Sequence, residues 1–262
     1  MGTDEKIAAG GDRIRLLSYN IQVAIASTKP HHYLTRSWRH IFPHEYHFRN
    51  LNQIAEVLQG YDIIGLQEVD AGSIRSSYVN QTRYLAEKGG FPYWTHQTNR
   101  RLGHIAQHSN GLVSNFTPLD VENHKLPGRV PGRGALVARF GTEHSHLIVV
   151  LIHLALGKKA RGIQLDYIAD LLKFNEHIVV MGDMNCQPDS YEFLSLLEQT
   201  GLGAPVGGLN TYPSWKPNRK LDHILVSPSL TVENVKVLPF TYSDHLPISM
   251  DVVLPTSVSL VA

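Results

Sequence analysis

Between Arg13 and Leu254, short apolar runs rich in Val, Ile and Leu are punctuated by Gly, Pro, Asn and Asp. The runs Ile14–Tyr19, Asp62–Gln67, Leu112–Asn115, Ala135–Phe140, Leu147–His153, Ile178–Met181, His223–Val226, Val232–Leu238 and Ile248–Val253 have the length and composition of strands. Helical periodicity falls between them. Phe48–Leu58 puts Leu51, Ile54, Ala55 and Leu58 on one face, and Gly162–Phe174 does the same with Leu165, Ile168, Leu171 and Leu172. A third helix, Ser190–Gln199, opens with Ser190 in the N-cap position and Glu192 in the first turn. Several strands of the second half follow one another with only turns between them. That predicts an α/β domain of mixed sheets with antiparallel pairs and helices on the outer faces. No long Gly/Ser-rich linker or short repeat divides the chain, so residues 13–254 read as one domain, 1–12 as a flexible polar leader and 255–262 as a short tail.

Polar residues stop these runs at particular places. Asn20 closes the first, and Glu68 follows Ile63-Ile64-Gly65-Leu66-Gln67. A carboxylate after an apolar strand costs several kcal/mol in order of magnitude to bury unless it is paired or binds a cation. Asp183-Met184-Asn185 follows Ile178–Gly182. In extended chain, Asp183 and Asn185 face one side and Met184 the core, with Gly182 allowing close backbone approach. His153 ends another run, Asp222 opens one, and Ser243-Asp244-His245 precedes the last. Taken singly, each is an ordinary turn former or strand-end residue. Taken in order, they describe one shared site.

The segments Ser18-Tyr19-Asn20-Ile21, Gln67-Glu68-Val69, Ile152-His153-Leu154, Gly182-Asp183-Met184-Asn185, Leu221-Asp222-His223-Ile224 and Ser243-Asp244-His245 closely resemble the endonuclease/exonuclease/phosphatase, or DNase I-like, superfamily. The resemblance implies a four-layer sandwich of two mixed β-sheets packed face to face with helices outside. It implies that Glu68 holds a catalytic Mg²⁺, or Mn²⁺ in its stead, with Asn20 and Asp244 near it. Asp183 would orient or deprotonate the attacking water, and Asn185 would hydrogen-bond a phosphate oxygen. His153 and His245 would contact the phosphate, with Asp222 fixing the tautomer of His245. Asn110, Arg133 and Thr211 match substrate-side positions more loosely. Ile152 stands where many members carry Thr, and Met184 where Phe is frequent. No clear counterpart of the mid-chain Tyr of abasic-site endonucleases is found, which weakens a DNA-repair reading. Hard oxygen ligands suit Mg²⁺, whereas no His-x-x-x-His or Cys-based set that would suit zinc lies on an obvious element.

Composition narrows the substrate only partly. Of 262 residues, 42% are hydrophobic and 18% charged, which excludes disorder over most of the chain. Lys+Arg of 24 against Asp+Glu of 23 gives +1, too balanced for a broad DNA-binding surface. One Cys, Cys186, excludes an intramolecular disulfide, and the ends carry no secretory signal, which favours the cytoplasm. The 15 His are unusual. Lys29–Arg49 collects His31, His32, His40, His44 and His47 with Arg36, Arg39, Arg49 and several aromatic side chains. Such a segment suits phosphate contact with base stacking, an anionic lipid headgroup, or a packed surface loop. Asn99–His108 has a similar character. The expectation is a Mg²⁺-dependent phosphoesterase acting on a small or lipid-like phosphoester. The alternatives are an endo- or exonuclease on DNA or RNA, and an inactive phosphate-ligand binding module. A nucleic acid or a membrane surface, without an integral span, is compatible with the chain, and no protein partner is implied.

Overall fold

The computed structural model describes residues 7–8, 11–25, 45–129, 131–205 and 209–262, so most of the His-rich stretch 29–49 lies outside the described residues. Two mixed sheets dominate. The six-stranded sheet runs β11 (Thr231–Val237), β12 (Ile248–Val253), β2 (Arg13–Asn20), β3 (Ile63–Asp70), β5 (Ala106–Ser114), β4 (Tyr93–Leu102). The five-stranded sheet runs β10 (Asp222–Val226), β9 (His177–Asp183), β8 (His146–His153), β7 (Gly134–Gly141), β6 (Asp120–Lys125). Only β2–β3 and β8–β9 are parallel neighbours in them.

Side-chain alternation sorts each central strand between two cores. In β8, Leu147, Val149 and Leu151 enter the core between the sheets, while Ile148, Val150 and Ile152 face the helices α3 (Lys158–Leu172) and α4 (Tyr191–Thr200). In β2, Ile14 and Leu16 face the other sheet. Leu17 and Tyr19 face α1 (Glu45–Leu58) and α2 (Gln81–Gly89), along with Ile64 and Leu66 of β3. The result is the helix–sheet–sheet–helix sandwich, and near-continuous apolar runs are the signature of strands covered on both faces.

Some elements differ from the sequence-based expectation. The strands β4 and β6 are polar and lie at sheet edges, so they carry little apolar alternation. The strand β5 begins at Ala106, six residues before the expected Leu112, because its polar first half is also paired. Helix α2 is held at its start by Asn80, whose side chain accepts from Arg83 N at 3.1 Å. Ser190 does stand at the N-cap of α4, but its hydroxyl makes no capping hydrogen bond. The expected tail, residues 255–262, is tied to the domain. Val258 and Leu260 are fully buried in the inter-sheet core, and β13 (Leu260–Val261) pairs antiparallel with β1 (Ile7–Ala8), within the expected leader. No helix among the described residues is long and apolar enough to cross a membrane.

Because Leu151 is wholly buried between the sheets, Leu151→Ala is expected to cost about 3–5 kcal/mol of unfolding free energy. Val232→Ala, on an edge strand and only partly buried, is expected to cost about 1 kcal/mol. Urea denaturation of both variants checks the difference.

Candidate active site

The alternation that builds the inter-sheet core also supplies the site. On β8 the inward series Val149, Leu151 continues to His153, and on β9 the series Val179, Met181 continues to Asp183. Ile14 and Leu16 lead to Asn20, and Ile224 and Val226 lead back to Asp222. The register aligns Gly134 with His153, His153 with Asp183 and Asp183 with Asp222, so four strands end in one row. Gly182 lets β8 and β9 close up. Its φ is +145°, and a Cβ there would sit 1.9 Å from Ile152 O.

At that end a small set of ionisable groups converges with almost no solvent. Asp183 is 2% exposed and accepts from Asn20 Nδ2 at 3.1 Å and from Asn185 N at 3.0 Å. Its Oδ2 lies 3.5 Å from His153 Nε2 and 3.8 Å from His245 Nε2. The other nitrogen of His245 donates to Asp222 Oδ2 at 2.8 Å. Burial alone would strip the proton from His245, but the charges of Asp222 and Asp183 hold it protonated well above the usual imidazole range. Burial, with the charges of Arg133 and His245, holds His153 neutral well below that range. The Asp183 carboxyl is pushed up to about 7, chiefly by burial, with His245 pulling it down and Asp222 and Glu68 adding to the rise. Two imidazoles, one charged and one neutral, thus flank a carboxylate poised near neutrality, an arrangement suited to proton transfer.

Glu68 reaches the same place by a break in the strand. Leu66 opposes Gly111 and Val69 opposes Ser109, so β3 carries one extra residue there, and Glu68 has φ +55°. Its side chain keeps 36% exposure and comes 4.0 Å from His153 Nε2. Burial first, then the charge of Asp244, raises its pKa, while the His245 charge and a hydrogen bond with Asn20 oppose the rise. Asp70, just beyond the bulge, fastens the strand end. Its carboxylate accepts from Arg75 Nε at 2.6 Å, Ser73 Oγ at 2.8 Å, Gly72 N and Ser76 Oγ at 2.9 Å, and Gln107 N at 3.1 Å. Although burial opposes it, these donors and the Arg75 charge hold the Asp70 carboxyl below the ordinary carboxylate range. This network was not anticipated from sequence. The only signal was a mostly polar run, Asp70–Ser77, directly after an apolar strand.

One sequence expectation is corrected. Thr211, expected on the substrate side, is fully buried behind Asp222. Its Oγ1 donates to Asp222 Oδ2 at 2.5 Å and accepts from Leu221 N and Asp222 N at 3.4 Å. It therefore supports the Asp222–His245 pair from behind and cannot meet a ligand. Asn185 gives its side-chain amide to Leu154 O at 3.0 Å, and Asn110 gives its own to Gly134 O at 3.2 Å. Asp244 is buried, and Ser243 Oγ donates to it at 3.2 Å.

The Endonuclease/Exonuclease/phosphatase family model matches residues 17–245, from β2 to the Asp244-His245 pair. The chain belongs to this family. No curated protein matches it significantly in sequence. An endonuclease/exonuclease/phosphatase from Beutenbergia cavernae is 20% identical with a TM-score of 0.73, over 93% of this chain and 72% of that one. A mannosyl-6-phosphatase of Bacteroides thetaiotaomicron is 18% identical with a TM-score of 0.68, over 92% and 100%. The human Nocturnin catalytic domain, with bound sulfate, is 18% identical with a TM-score of 0.70, over 96% and 97%. At these identities the likeness is one of fold.

A cleft of about 870 Å³ opens from Glu68 and His153 between the two sheet ends. Asn110 and Arg133 line it, and so do His108, Arg100, Arg129 and Lys159. Neither Arg129 nor Lys159 was singled out from the sequence, although the repeated Pro-Gly-Arg of 127–129 and 131–133 was a usable signal. Since Asp222 is the first force opposing the effect of burial on the His245 charge, Asp222→Asn is expected to bring the imidazole's titration down toward neutral pH. In ¹⁵N NMR, the His245 titration should lie at lower pH in the variant than in the parent chain. An unchanged titration would contradict the assignment.

Proposed function

We propose that the chain is a divalent-metal-dependent hydrolase of small or lipid-like phosphoesters that directs water at phosphorus. The observation that carries this reading is the buried Asp183, held between the imidazoles of His245 and His153 and 3.5 Å behind His153, which lines the cleft. Family membership supports hydrolysis of a phosphoester as the reaction class. The cleft volume of about 870 Å³ suits a small or medium ligand, and an extended duplex would use little of it.

In this reading Asp183 takes the proton of the attacking water, held in orientation by Asn20 Nδ2 and Asn185 N. His245, kept charged by Asp222, and neutral His153 each offer an N–H to the non-bridging oxygens, where negative charge accumulates. Arg133, which lines the cleft in the field of Glu68 and Asp183, adds a fixed positive charge. Asn185 has a second amide hydrogen left for a phosphate oxygen.

Glu68, Asn20 and Asp244 fit a hard divalent cation. They offer only oxygen donors, and Glu68 is driven toward protonation by burial and by the Asp244 carboxylate, a conflict that a cation resolves. A bound Mg²⁺ or Mn²⁺ would withdraw charge from the phosphoryl group and acidify water. Asp183, Asp222 and His245 also bring ligand atoms within 4.8 Å of one another. There, however, the imidazole already holds its proton between two carboxylates, and a protonated imidazole has no lone pair to give.

Purified protein with Mg²⁺ or Mn²⁺ is expected to hydrolyse at least one small phosphoester in a panel of sugar phosphates, nucleotides, phospholipids, nitrophenyl esters, RNA and DNA. Asp183→Asn is expected to lower kcat by about 10²–10⁴-fold. Activity of the parent should fall on the acid side as Asp183 takes up its proton. Mn²⁺ should raise the Tm of the parent and leave that of Glu68→Gln unchanged. No turnover of any member with either ion would contradict the function, and an unaltered metal shift in Glu68→Gln would contradict the metal site.

A further inference from the structure

The outer cleft contains positive charge that the proposed hydrolysis does not use. From Asn110, which is bonded to the Gly134 carbonyl beside the catalytic row, β5 runs outward two residues to His108. That is a distance of about 7 Å. His108 is aligned with Arg100 across a second bulge, where β4 carries one extra residue between Thr98 and Arg100. Gly132 closes against this strand, where a Cβ on it would meet the Arg100 side chain at 3.1 Å. Arg129 also lines the cleft. On the opposite wall, Lys159 lies in the first turn of α3, six residues beyond His153.

Arg100, Arg129 and Lys159 are exposed in the cleft mouth, and none has a carboxylate within ion-pair distance among the described residues. Glu68, at the catalytic end, is the only carboxylate lining the cleft among the described residues. His108 adds no positive charge near pH 7. Burial, with Arg75 and Arg100, pushes its pKa down to about 4. Between the two ends the wall is largely apolar, with Pro127, Pro131, Leu156 and Ile163. Three such cations around a concave, partly apolar mouth focus a positive field there.

We infer that this outer cleft is a second anion subsite, so that the favoured substrate is a small phosphoester carrying another phosphate or similar anionic group across an apolar body. The scissile group meets Glu68, His153 and Arg133, the second anion meets Arg100, Arg129 and Lys159, and the intervening body lies on the apolar wall. This refines the hydrolase reading and rests on it for the word substrate, but the subsite itself is tested by binding alone.

The probes are adenosine 3′,5′-bisphosphate and adenosine 5′-monophosphate, titrated by calorimetry into the full chain in chelator at fixed ionic strength. The bisphosphate is expected to bind about tenfold tighter or better, with a preference that shrinks as salt rises. Replacing Arg100, Arg129 and Lys159 together with Gln should bring the ratio of the two Kd values close to one. Lys159→Gln alone should lower it, and Lys158→Gln, which is outside the cleft lining, should leave it unchanged. Equal affinities in the parent chain, no measurable binding of the bisphosphate, or a ratio that survives the triple substitution overturns the subsite. Failure of hydrolysis with the ratio intact would instead overturn the enzymatic reading and leave the subsite standing.

Discussion

A positive charge buried where two sheets meet is the constraint on which this molecule turns. His245 keeps its proton with only 6% of its surface exposed because Asp222 and Asp183 face its two nitrogens. A lone imidazolium could not stay charged in that setting, and carboxylates so close together could not both stay ionised without it. The three residues come from the end of β9, the start of β10 and the loop before β12. Their meeting therefore requires the sheet register, the inter-sheet packing and the loop at 243–245 all to be in place. Thr211, fully buried, completes the arrangement by donating to the same Asp222 oxygen that receives His245.

Strain is the second element. Glu68 adopts φ +55° within a strand, a conformation that costs a side-chain-bearing residue of order 1–3 kcal/mol. The Asp70 network, two residues further on, holds it there. Asp70 gathers donors from both the 72–76 turn and β5, and a buried Arg75 neutralises it. The bulge turns the Glu68 side chain into the cleft. The rigid scaffold thus presents one carboxylate at the cleft and commits another to the structure.

The strands with apolar runs were legible in the sequence, the edge strands β10 and β11 among them, and the polar edge strands β4 and β6 were obscure. Strands β2, β3, β8, β9 and β12 carry long apolar runs because their side chains enter buried cores, so they stood out. The edge strands β4 and β6 are largely polar and only partly buried, so no apolar run marks them. The site was legible for the same reason as the core: a polar residue ending an apolar run is conspicuous. Residues that act through neighbours were not. Thr211 looked like a substrate contact because sequence cannot tell whether a hydroxyl faces a ligand or a carboxylate. Asp70 and Arg75 carried no signal of their own because their pairing depends on chain geometry. Arg129 and Lys159 escaped notice because a single cation in a loop or on a helix is ordinary until the fold assembles several around one cleft.

The proposed attack of water at phosphorus is tested most directly by isotope tracing. A substrate from the active panel is turned over once in H₂¹⁸O, and both products are examined by mass spectrometry. Attack at phosphorus places one ¹⁸O in the phosphoryl product and none in the released alcohol. Label in the alcohol, or an unlabelled phosphoryl product, would contradict it.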